Sequence, residues 1–334
     1  MKGKLPLVSV IGVLLGVAML ISSFLHNSSD FSVGHPGTEI SFDVADGATG
    51  SDIAIALAAQ KVIKNSKTFY KLALSDSRAG SIAPGSHRIE THIPSALALT
   101  ELLDSKRIVG LLVVKEGSTF SDVIGALKQS SAISPFVLAK LKIAPPIANP
   151  SNSLEGLLYP AHYSFAKGTT AKSAIAAMSA KFTSVAAGLH LSNGYESYSG
   201  YQVLTIASMV QVEADSQDFA KVARVIMNRL RIGMPLQLNS TVQYATNQRG
   251  KIQLSTKSTQ IDSPYNTYRN VGLPPTPISN PSSAALGATL HPAAGNWIYF
   301  ITVKPGDTRF TNSYSEFSKW ELLFHQNLAA GAFK

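Results

Sequence analysis

The feature that most constrains this chain is an apolar segment close to its N-terminus. Residues 5–25 read LPLVSVIGVLLGVAMLISSFL and contain no charged side chain. About 20 apolar residues are enough for a helix to cross the hydrocarbon core of a bilayer. We therefore expect a transmembrane helix, with residues 1–26 forming a cytoplasmic tip and an anchor. A cleaved signal peptide is the alternative, although the segment is longer than a usual signal core and ends without a clear cleavage site.

The charges that flank this segment predict its orientation. Lys2 and Lys4 precede it, whereas residues 26–30 contain no Lys or Arg. Positive charge is retained on the cytoplasmic side of a membrane helix. We therefore expect a single-pass protein of the plasma membrane with a cytoplasmic N-terminus and an extracytoplasmic body. Residues 27–38 are polar and rich in turn-forming residues, which indicates a linker.

Composition and motif searches exclude several classes of function. The 29 basic and 20 acidic residues give a net charge of +9, which suits an anionic surface such as a membrane, a nucleic acid or a cell-wall polymer. The sequence has no Cys, and its eight His residues form neither an HExxH motif nor a close pair. Phosphate-binding, dinucleotide-binding and serine-hydrolase motifs are also missing from the sequence. We expect no metal and no cofactor, and no nucleic-acid partner.

A short repeat organises the first half of the exported part. Residues 44–57 and 114–127 align at a constant offset of 70, and seven of the fourteen positions are identical. Each copy predicts a strand, a Gly turn, a Thr helix cap and an amphipathic helix. This unit resembles the LysM-like fold, which binds N-acetyl sugars. A small α/β spacer without a ligand is the alternative, and on either interpretation residues 39–144 form one module.

A proline-rich segment, PPIANPSNS at residues 145–153, predicts a domain boundary. Residues 150–334 then form a second domain that mixes helices and strands. Its apolar periodicity predicts helices near 170–187, 201–214, 218–231 and 315–328, with strands at 297–303 and 308–311. The fold class expected is therefore α+β, comprising the transmembrane helix, the LysM-like module and a mixed α+β domain.

Glu213 stands out among the acidic residues of this second domain. It ends a helical run and lies seven, four and three residues after Ile206, Met209 and Val210. This spacing places the carboxyl on the same stripe as those apolar side chains. Loss of hydration favours the neutral form, which makes Glu213 a candidate general acid. The alternative is a carboxylate at a frayed helix end, in solvent or paired with Arg224 or Arg229.

Several motifs in a fixed order resemble one enzyme family. They are ASMVQVE at 207–213, VARVIMNRLRIGMPLQ at 222–237, SPYNTY at 263–268 and GLPP at 272–275, with LEGLLYP at 154–160 before them. Together they resemble the MltG-type (YceG-like) endolytic murein transglycosylases. The resemblance implies a membrane-anchored lyase that cuts the MurNAc–GlcNAc bond within nascent peptidoglycan strands. The products would carry 1,6-anhydro-MurNAc ends, and the cut would terminate glycan elongation.

The resemblance also implies roles for individual residues. Glu213 would be the catalytic acid and base, because an internal nucleophile on the sugar removes the need for a second carboxylate. Glycan strands would be the substrate, and peptidoglycan synthases would be possible partners. The residues expected to bind substrate are Glu155, Asn228, Gln237, Asn239, Thr241, Tyr265, Asn266 and Tyr268. For each of these residues a purely structural role is the alternative.

The sequence departs from the family pattern at three places. Gln211 and Asn239 stand where the family has acidic residues, and Ala161 replaces an acid after the LEGLLYP motif. These substitutions would remove auxiliary groups while Glu213 is retained. Two rival functions stay open, and the substitutions motivate the second of them. One is a hydrolytic muramidase, which needs a second carboxylate such as Asp215 or Asp262. The other is a non-catalytic protein that binds the cell wall.

Overall fold

The structure is a computed structural model that describes residues 30–333 apart from 46, 142, 148 and 249–256. The chain divides into two units. Unit 1 comprises the chain up to Leu111 together with Tyr163–Ala166, and unit 2 comprises Leu112–His162 and Lys167–Lys334. Each unit has its own hydrophobic core.

Unit 1 packs three helices against an antiparallel pair of strands. In chain order its elements are β1 (Glu39–Val44), α1 (Gly50–Ala59), α2 (Ser66–Ser75), β2 (Gly85–Glu90) and α3 (Ser95–Leu103). In the β1–β2 register Glu39 lies opposite Glu90 and Val44 lies opposite Gly85. Alternate residues of both strands point into the core, where Phe42 and Ile89 are fully buried with Leu57 and Phe69 from the helices.

Unit 2 is mostly helical and ends in a hairpin and a final helix. Two strands, β3 (Leu111–Val114) and β4 (Ala161–Ser164), lie where the chain passes from one unit to the other. The remaining elements are α4 (Phe120–Gln129), α5 (Ala171–Gly188), α6 (Gly200–Glu213), α7 (Phe219–Arg231), α8 (Asn239–Thr246), α9 (Ser283–Leu290), β5 (Tyr299–Lys304), β6 (Asp307–Thr311) and α10 (Tyr314–Ala329). The helices and strands predicted after residue 170 are confirmed to within about two residues at each end, which is the usual uncertainty of element boundaries.

The apolar stripe of α6 organises the core of unit 2. Ile206, Met209 and Val210 are buried against α7, which contributes Val222 and Ile226 to the same cluster. Helix α9 packs across both α6 and α7, and α10 packs on the β5–β6 hairpin. Because Glu213 is the last residue of α6, this packing fixes the position of its carboxyl relative to the core.

Both copies of the repeat form the predicted strand, turn and capped helix. In each copy the Thr side chain accepts from the backbone of the Asp three residues later, and that Asp accepts from the Thr backbone: Thr49 with Asp52 and Thr119 with Asp122. The turn glycine has a positive φ in both copies. The first copy lies in unit 1 and the second in unit 2. The assignment of residues 39–144 to one LysM-like module stays a prediction.

The predictions of a membrane-spanning helix and of a single-pass membrane location are corrected. Among the residues that the structure describes, no helix is both long enough and apolar enough to cross a bilayer. The longest described helix, α5, carries Lys172 and Lys181, and α10 carries three charged residues along its length. The predicted anchor at residues 1–26 lies outside the described residues. The described architecture is a mixed α+β fold.

Candidate active site

The carboxyl of Glu213 borders a cleft of about 540 Å³ in unit 2. The end of α6, the start of α8, the β5 strand and α10 contribute to its walls. Arg229 comes from α7, Asn239 is the first residue of α8, and Gln237 and Tyr268 come from the segments before and after α8. An aromatic wall of Tyr299, Tyr314, Phe317 and Phe324 faces the same space. The cleft therefore combines carboxyl groups, uncharged hydrogen-bonding groups and aromatic rings.

Glu213 is held by the first turn of α8, the second α-helix after it along the chain. The backbone N–H of Ser240, near the start of α8, donates to Glu213 Oε1 at 3.0 Å. Burial raises the pKa of Glu213 above its ordinary value, although Ser240 and the positive charge of Arg229 act in the opposite direction. The carboxyl therefore keeps its proton to a higher pH than an exposed Glu does, as a general acid requires.

Arg224 and Arg229, the two possible partners of Glu213 if the helix end were frayed, donate hydrogen bonds to other groups. Arg229 is buried, and its Nε and Nη1 donate to the backbone oxygens of Ile298 and Leu236 at 2.6 and 2.5 Å. Its guanidinium also lies 5.7 Å from the centre of the Tyr299 ring. Arg224 donates from Nε to the Ala293 oxygen at 2.7 Å. Arg229 is therefore a fixed positive charge in the wall of the cleft, which sequence reasoning did not assign to the site.

Three of the predicted substrate-binding residues line the cleft with Glu213. The Tyr268 hydroxyl donates to Asn239 Oδ1 at 2.6 Å, so the amide and the phenol form one polar unit. Gln237 adopts a left-handed backbone, with φ at 48°, and its N–H donates to the Thr267 oxygen at 3.0 Å. This turn directs the chain into α8. The roles of Gln237, Asn239 and Tyr268 toward a substrate stay predictions.

Thr241 is buried beside the cleft and holds two of the segments that line it. It is fully buried, and its hydroxyl donates to the Leu238 oxygen at 2.8 Å and shares a hydrogen bond of 2.9 Å with the Thr267 hydroxyl. These bonds join the start of α8 to the segment that carries Tyr268. The structure therefore places Thr241 under the site, without contact with the open cleft.

Asn228 and Asn266 lie outside the cleft and organise loops. The Asn228 amide donates to the backbone oxygens of Gly295 and Trp297 at 3.2 and 2.8 Å. The fully buried Asn266 donates to the oxygens of Thr259 and Ile261 at 3.0 and 2.8 Å. These bonds occupy the amide donors of both side chains. For these two residues the geometry supports the structural alternative.

Glu155 and Tyr265 line a different pocket of unit 2 and are not among the residues that line the cleft of Glu213. The structure thus separates the predicted site residues into three groups. The first group shares the cleft with Glu213, the second group supports loops, and the third group, formed by Glu155 and Tyr265, lines the other pocket.

The structure also explains the departure at position 211. The Gln211 side-chain oxygen accepts from the backbone N–H of Ser282 at 2.8 Å, at the N-terminal cap of α9. An amide oxygen serves as well as a carboxylate in this position, because only an acceptor is needed. Asp215 and Asp262, the two expected second carboxylates, are exposed and do not line the cleft. The carboxylate that does line it with Glu213 is Glu321 of α10.

Sequence reasoning missed the aromatic wall and Glu321. The rings of Tyr299 and Phe317 stack with their centres 5.2 Å apart, and Tyr314 packs against the same tyrosine at 5.8 Å. The sequence contained a signal, because residues 297–324 are dense in aromatic side chains. The periodicity of these rings is equally typical of a buried core, so it did not distinguish a cleft wall from packing.

Comparison with known proteins identifies the family. Residues 42–321 match the YceG-like family. The endolytic murein transglycosylase of Bacillus subtilis (strain 168) is 30% identical over 302 residues, covering 84% of each chain. The endolytic murein transglycosylase of Streptococcus pneumoniae serotype 2 (strain D39) is 36% identical over 169 residues, which cover 49% of this chain and 31% of the relative.

A solved structure gives the same result. The crystal structure of a putative YceG-like protein from Listeria monocytogenes has a TM-score of 0.53 and 27% sequence identity. It covers 84% of this chain, and 98% of the Listeria chain is matched. The agreement therefore extends over both units. The family match spans most of the chain, and so this protein belongs to the YceG-like family.

Proposed function

We propose that this protein is an endolytic murein transglycosylase, a lyase that acts on the glycan strands of peptidoglycan. The observation that carries the proposal is the position of Glu213. This residue ends a core helix, its carboxyl borders the cleft, and burial raises the pKa of that carboxyl. The relatives in Bacillus and Streptococcus bear this activity in their names, and the chain aligns with the first of them over 84% of its length.

The chemistry proposed for Glu213 has two proton transfers. The protonated carboxyl gives its proton to the glycosidic oxygen between MurNAc and GlcNAc, and the bond from that oxygen to C1 breaks as an oxocarbenium-like centre develops. The resulting carboxylate then takes the proton from the C6 hydroxyl of the MurNAc residue while that oxygen bonds to C1. The products are a 1,6-anhydro-MurNAc end and a free GlcNAc hydroxyl. No water is consumed, and Glu213 ends protonated as it began.

The surroundings of Glu213 support this double role. The N–H of Ser240 holds Oε1, so that oxygen acts as the acceptor while Oε2 carries the proton. The start of α8 and the guanidinium of Arg229 stabilise the carboxylate that forms after the first transfer. Burial outweighs both groups, so the net effect is still to raise the pKa of Glu213. The site thus tolerates both protonation states that the mechanism needs.

The polar and aromatic walls suit an amino sugar. Asn239 and Tyr268 offer an amide and a phenol near the acid, and Gln237 adds a second amide. The stacked rings of Tyr299 and Phe317 present an apolar face on which the C–H face of a pyranose ring would lie. These features support the assignment of Gln237, Asn239 and Tyr268 to substrate binding.

One observation favours a second candidate, a hydrolytic muramidase. Glu321 lines the same cleft as Glu213 and would be the second carboxylate that such an enzyme uses. Mass spectrometry of the products of purified glycan strands distinguishes the possibilities. Ends with 1,6-anhydro-MurNAc support the transglycosylase, reducing ends support the hydrolase, and no new ends would support a non-catalytic protein. Glu321→Gln should abolish a hydrolase but leave a transglycosylase that depends on Glu213 active.

A cut within a nascent strand would end its elongation, and we include this role in the proposal. The name endolytic, which the relatives carry, describes cleavage inside the strand. The role would bring the enzyme to the synthases that extend the glycan. Measuring strand lengths in cell walls of a strain that lacks the protein tests this part, since unterminated strands should be longer.

A further inference from the structure

A second pocket in unit 2 is not used by the mechanism described above. It has a volume of about 500 Å³ and is lined by the rings of Phe120, Tyr244 and Tyr265, with small polar groups from Thr119, Ser121 and Asn247. Apolar walls with a few polar groups are typical of sites for small ligands. We propose that this pocket binds an N-acetyl sugar of the same glycan strand at a distance from the cleaved bond. The inference rests on the proposed function.

A buried carboxylate fixes the walls of this pocket. Glu155 is only 4% exposed. Its Oε1 accepts from the Phe120 backbone N–H at 2.9 Å, and its Oε2 accepts from the Tyr244 hydroxyl at 3.0 Å. The Tyr244 and Tyr265 rings meet with their centres 5.0 Å apart, and the Tyr265 hydroxyl bonds to that of Thr276 at 2.8 Å. A pocket that is already ordered costs a ligand less entropy on binding.

Two segments of the chain connect this pocket to the cleft of Glu213. Helix α8 starts with Asn239 in the cleft and reaches Tyr244 in the pocket. The segment after it places Tyr265 in the pocket and Tyr268 in the cleft. A helix rises about 1.5 Å per residue, so α8 spans on the order of 12 Å. The two sites are close enough for one extended strand to occupy both.

The repeat gives an independent reason to assign a ligand to this pocket. Phe120 is the first residue of α4 in the second copy, and the aligned residue of the first copy is Gly50. Both copies keep the same Thr–Asp capping box, so the change affects the side chain while the local backbone arrangement is retained. The copy in the unit that carries Glu213 therefore has an aromatic ring lining a pocket where the other copy has a glycine.

The chemistry of the lining favours an uncharged sugar. Both oxygens of the Glu155 carboxylate already accept hydrogen bonds from the protein, and the other polar groups of the wall are hydroxyls and an amide. Hydroxyl and acetamido groups of a sugar pair with such side chains, and aromatic rings pack on its apolar face. An enzyme that cuts within a strand gains rate from binding energy contributed by sugars remote from the cleaved bond.

The experiment compares glycan strands of different length on the full chain. Ser121→Trp fills the pocket from its exposed rim, and Phe120→Ala removes one of its walls. Ser51→Trp is the matched control, because Ser51 occupies the same position after the capping Thr of the first copy. We measure kcat/KM for long and short strands, and the affinity of each variant for long strands in the Glu213→Gln background.

We expect wild type to have a higher kcat/KM for long strands than for short ones. In both pocket variants the ratio of these two values, and the affinity for long strands, should fall about tenfold, as the loss of one good aromatic contact would give. Ser51→Trp should keep the wild-type preference. Unchanged preference and affinity in both pocket variants, or an equal loss in Ser51→Trp, would overturn the inference. If wild type produces no anhydro ends, the proposed function fails, but the affinity series still decides whether the pocket binds glycan.

Discussion

The carboxyl of Glu213 accepts a hydrogen bond from the backbone N–H of Ser240, 27 residues later in the chain, at 3.0 Å. The bond joins the end of α6 to the start of α8, where the helix dipole favours a negative charge. The acid is thus held in place at the border of the cleft by a group that cannot itself titrate.

Glu213→Gln tests the central role of this carboxyl. The amide keeps the shape of the side chain and one acceptor, but it cannot give a proton to the glycosidic oxygen or take one from the C6 hydroxyl. General acid–base assistance is worth about 10²–10⁴ in rate, and glycan cleavage should fall by at least that factor. Release of anhydro ends from purified strands measures the effect.

Asp215→Asn is the matched control for this substitution. Asp215 is an exposed residue two positions further on and does not line the cleft. Its replacement by Asn should change the rate by less than about twofold, as is usual for a surface change away from a site. Normal cleavage by Glu213→Gln together with a large loss in Asp215→Asn would show that Asp215, and not Glu213, is the catalytic carboxyl.

The raised pKa of Glu213 predicts how stability depends on pH. The folded protein holds the proton more tightly than the unfolded chain, whose Glu titrates near 4.5. The neutral carboxyl therefore contributes its full stability below that pH, and the contribution is lost as the pH rises through the folded pKa. Glu213→Gln should not show this loss. The difference in Tm between Glu213→Gln and wild type should increase in favour of the variant as the pH rises above about 4.5.

The raised pKa of Glu213 also predicts how the activity depends on pH. Because Glu213 must be protonated to act first, kcat/KM should fall as the pH rises through its folded pKa. The midpoint should lie above the ordinary value of 4.5. If kcat/KM instead falls at the pH where an ordinary exposed Glu titrates, Glu213 is not acting as a desolvated general acid.

Asn239→Asp tests the amide that stands where the family has an acid. The Tyr268 hydroxyl can donate to a carboxylate as well as to the present Oδ1, and an anion at the first position of α8 is favourable. A second negative charge near Glu213 also favours its protonated form. We expect kcat/KM to be kept or raised, whereas Asn239→Leu, which removes the acceptor, should lower it. A large loss in Asn239→Asp with an intact fold would mean that the site requires the amide.

Position 211 should matter for stability and little for chemistry. Gln211→Glu keeps an acceptor for the buried Ser282 N–H and should leave the midpoint of urea unfolding nearly unchanged. Gln211→Leu leaves that N–H without its partner and should lower the free energy of unfolding by about 1–3 kcal/mol. A more than tenfold gain in kcat/KM for Gln211→Glu would instead mean that the acidic residue that the family has at position 211 assists catalysis.

Local signals in the sequence predicted α4–α7, α10 and the C-terminal hairpin of unit 2, but they did not predict α8 or α9. Apolar periodicity gave the helix that ends at Glu213 and placed its carboxyl on the buried stripe, because that spacing follows from the geometry of a single helix. The capping Thr likewise predicted the capped helices of both repeat copies, and each observed cap involves residues only three positions apart. The motifs that resemble the YceG-like family then gave the chemistry.

The motifs did not separate residues that line the cleft from residues that support it. Asn228, Asn239 and Asn266 are the same type of residue in neighbouring motifs, yet only Asn239 faces the cleft with Glu213. The other two give their amide donors to loop carbonyls. Nothing in the local pattern distinguishes these roles, because each depends on which distant backbone group lies within hydrogen-bonding distance.

The sequence by itself therefore determined α5, α6, α7 and α10, the caps of the two repeat copies, and the place of Glu213 at the end of an apolar stripe. Only the tertiary structure decided what meets that carboxyl. Ser240 donates to Glu213 from α8, and the charge of Arg229 acts on it from α7. Glu321 and the aromatic wall come from the C-terminal helix and hairpin. Helix periodicity and caps act over three or four residues, whereas these contacts exist only after packing of the core has brought distant segments together.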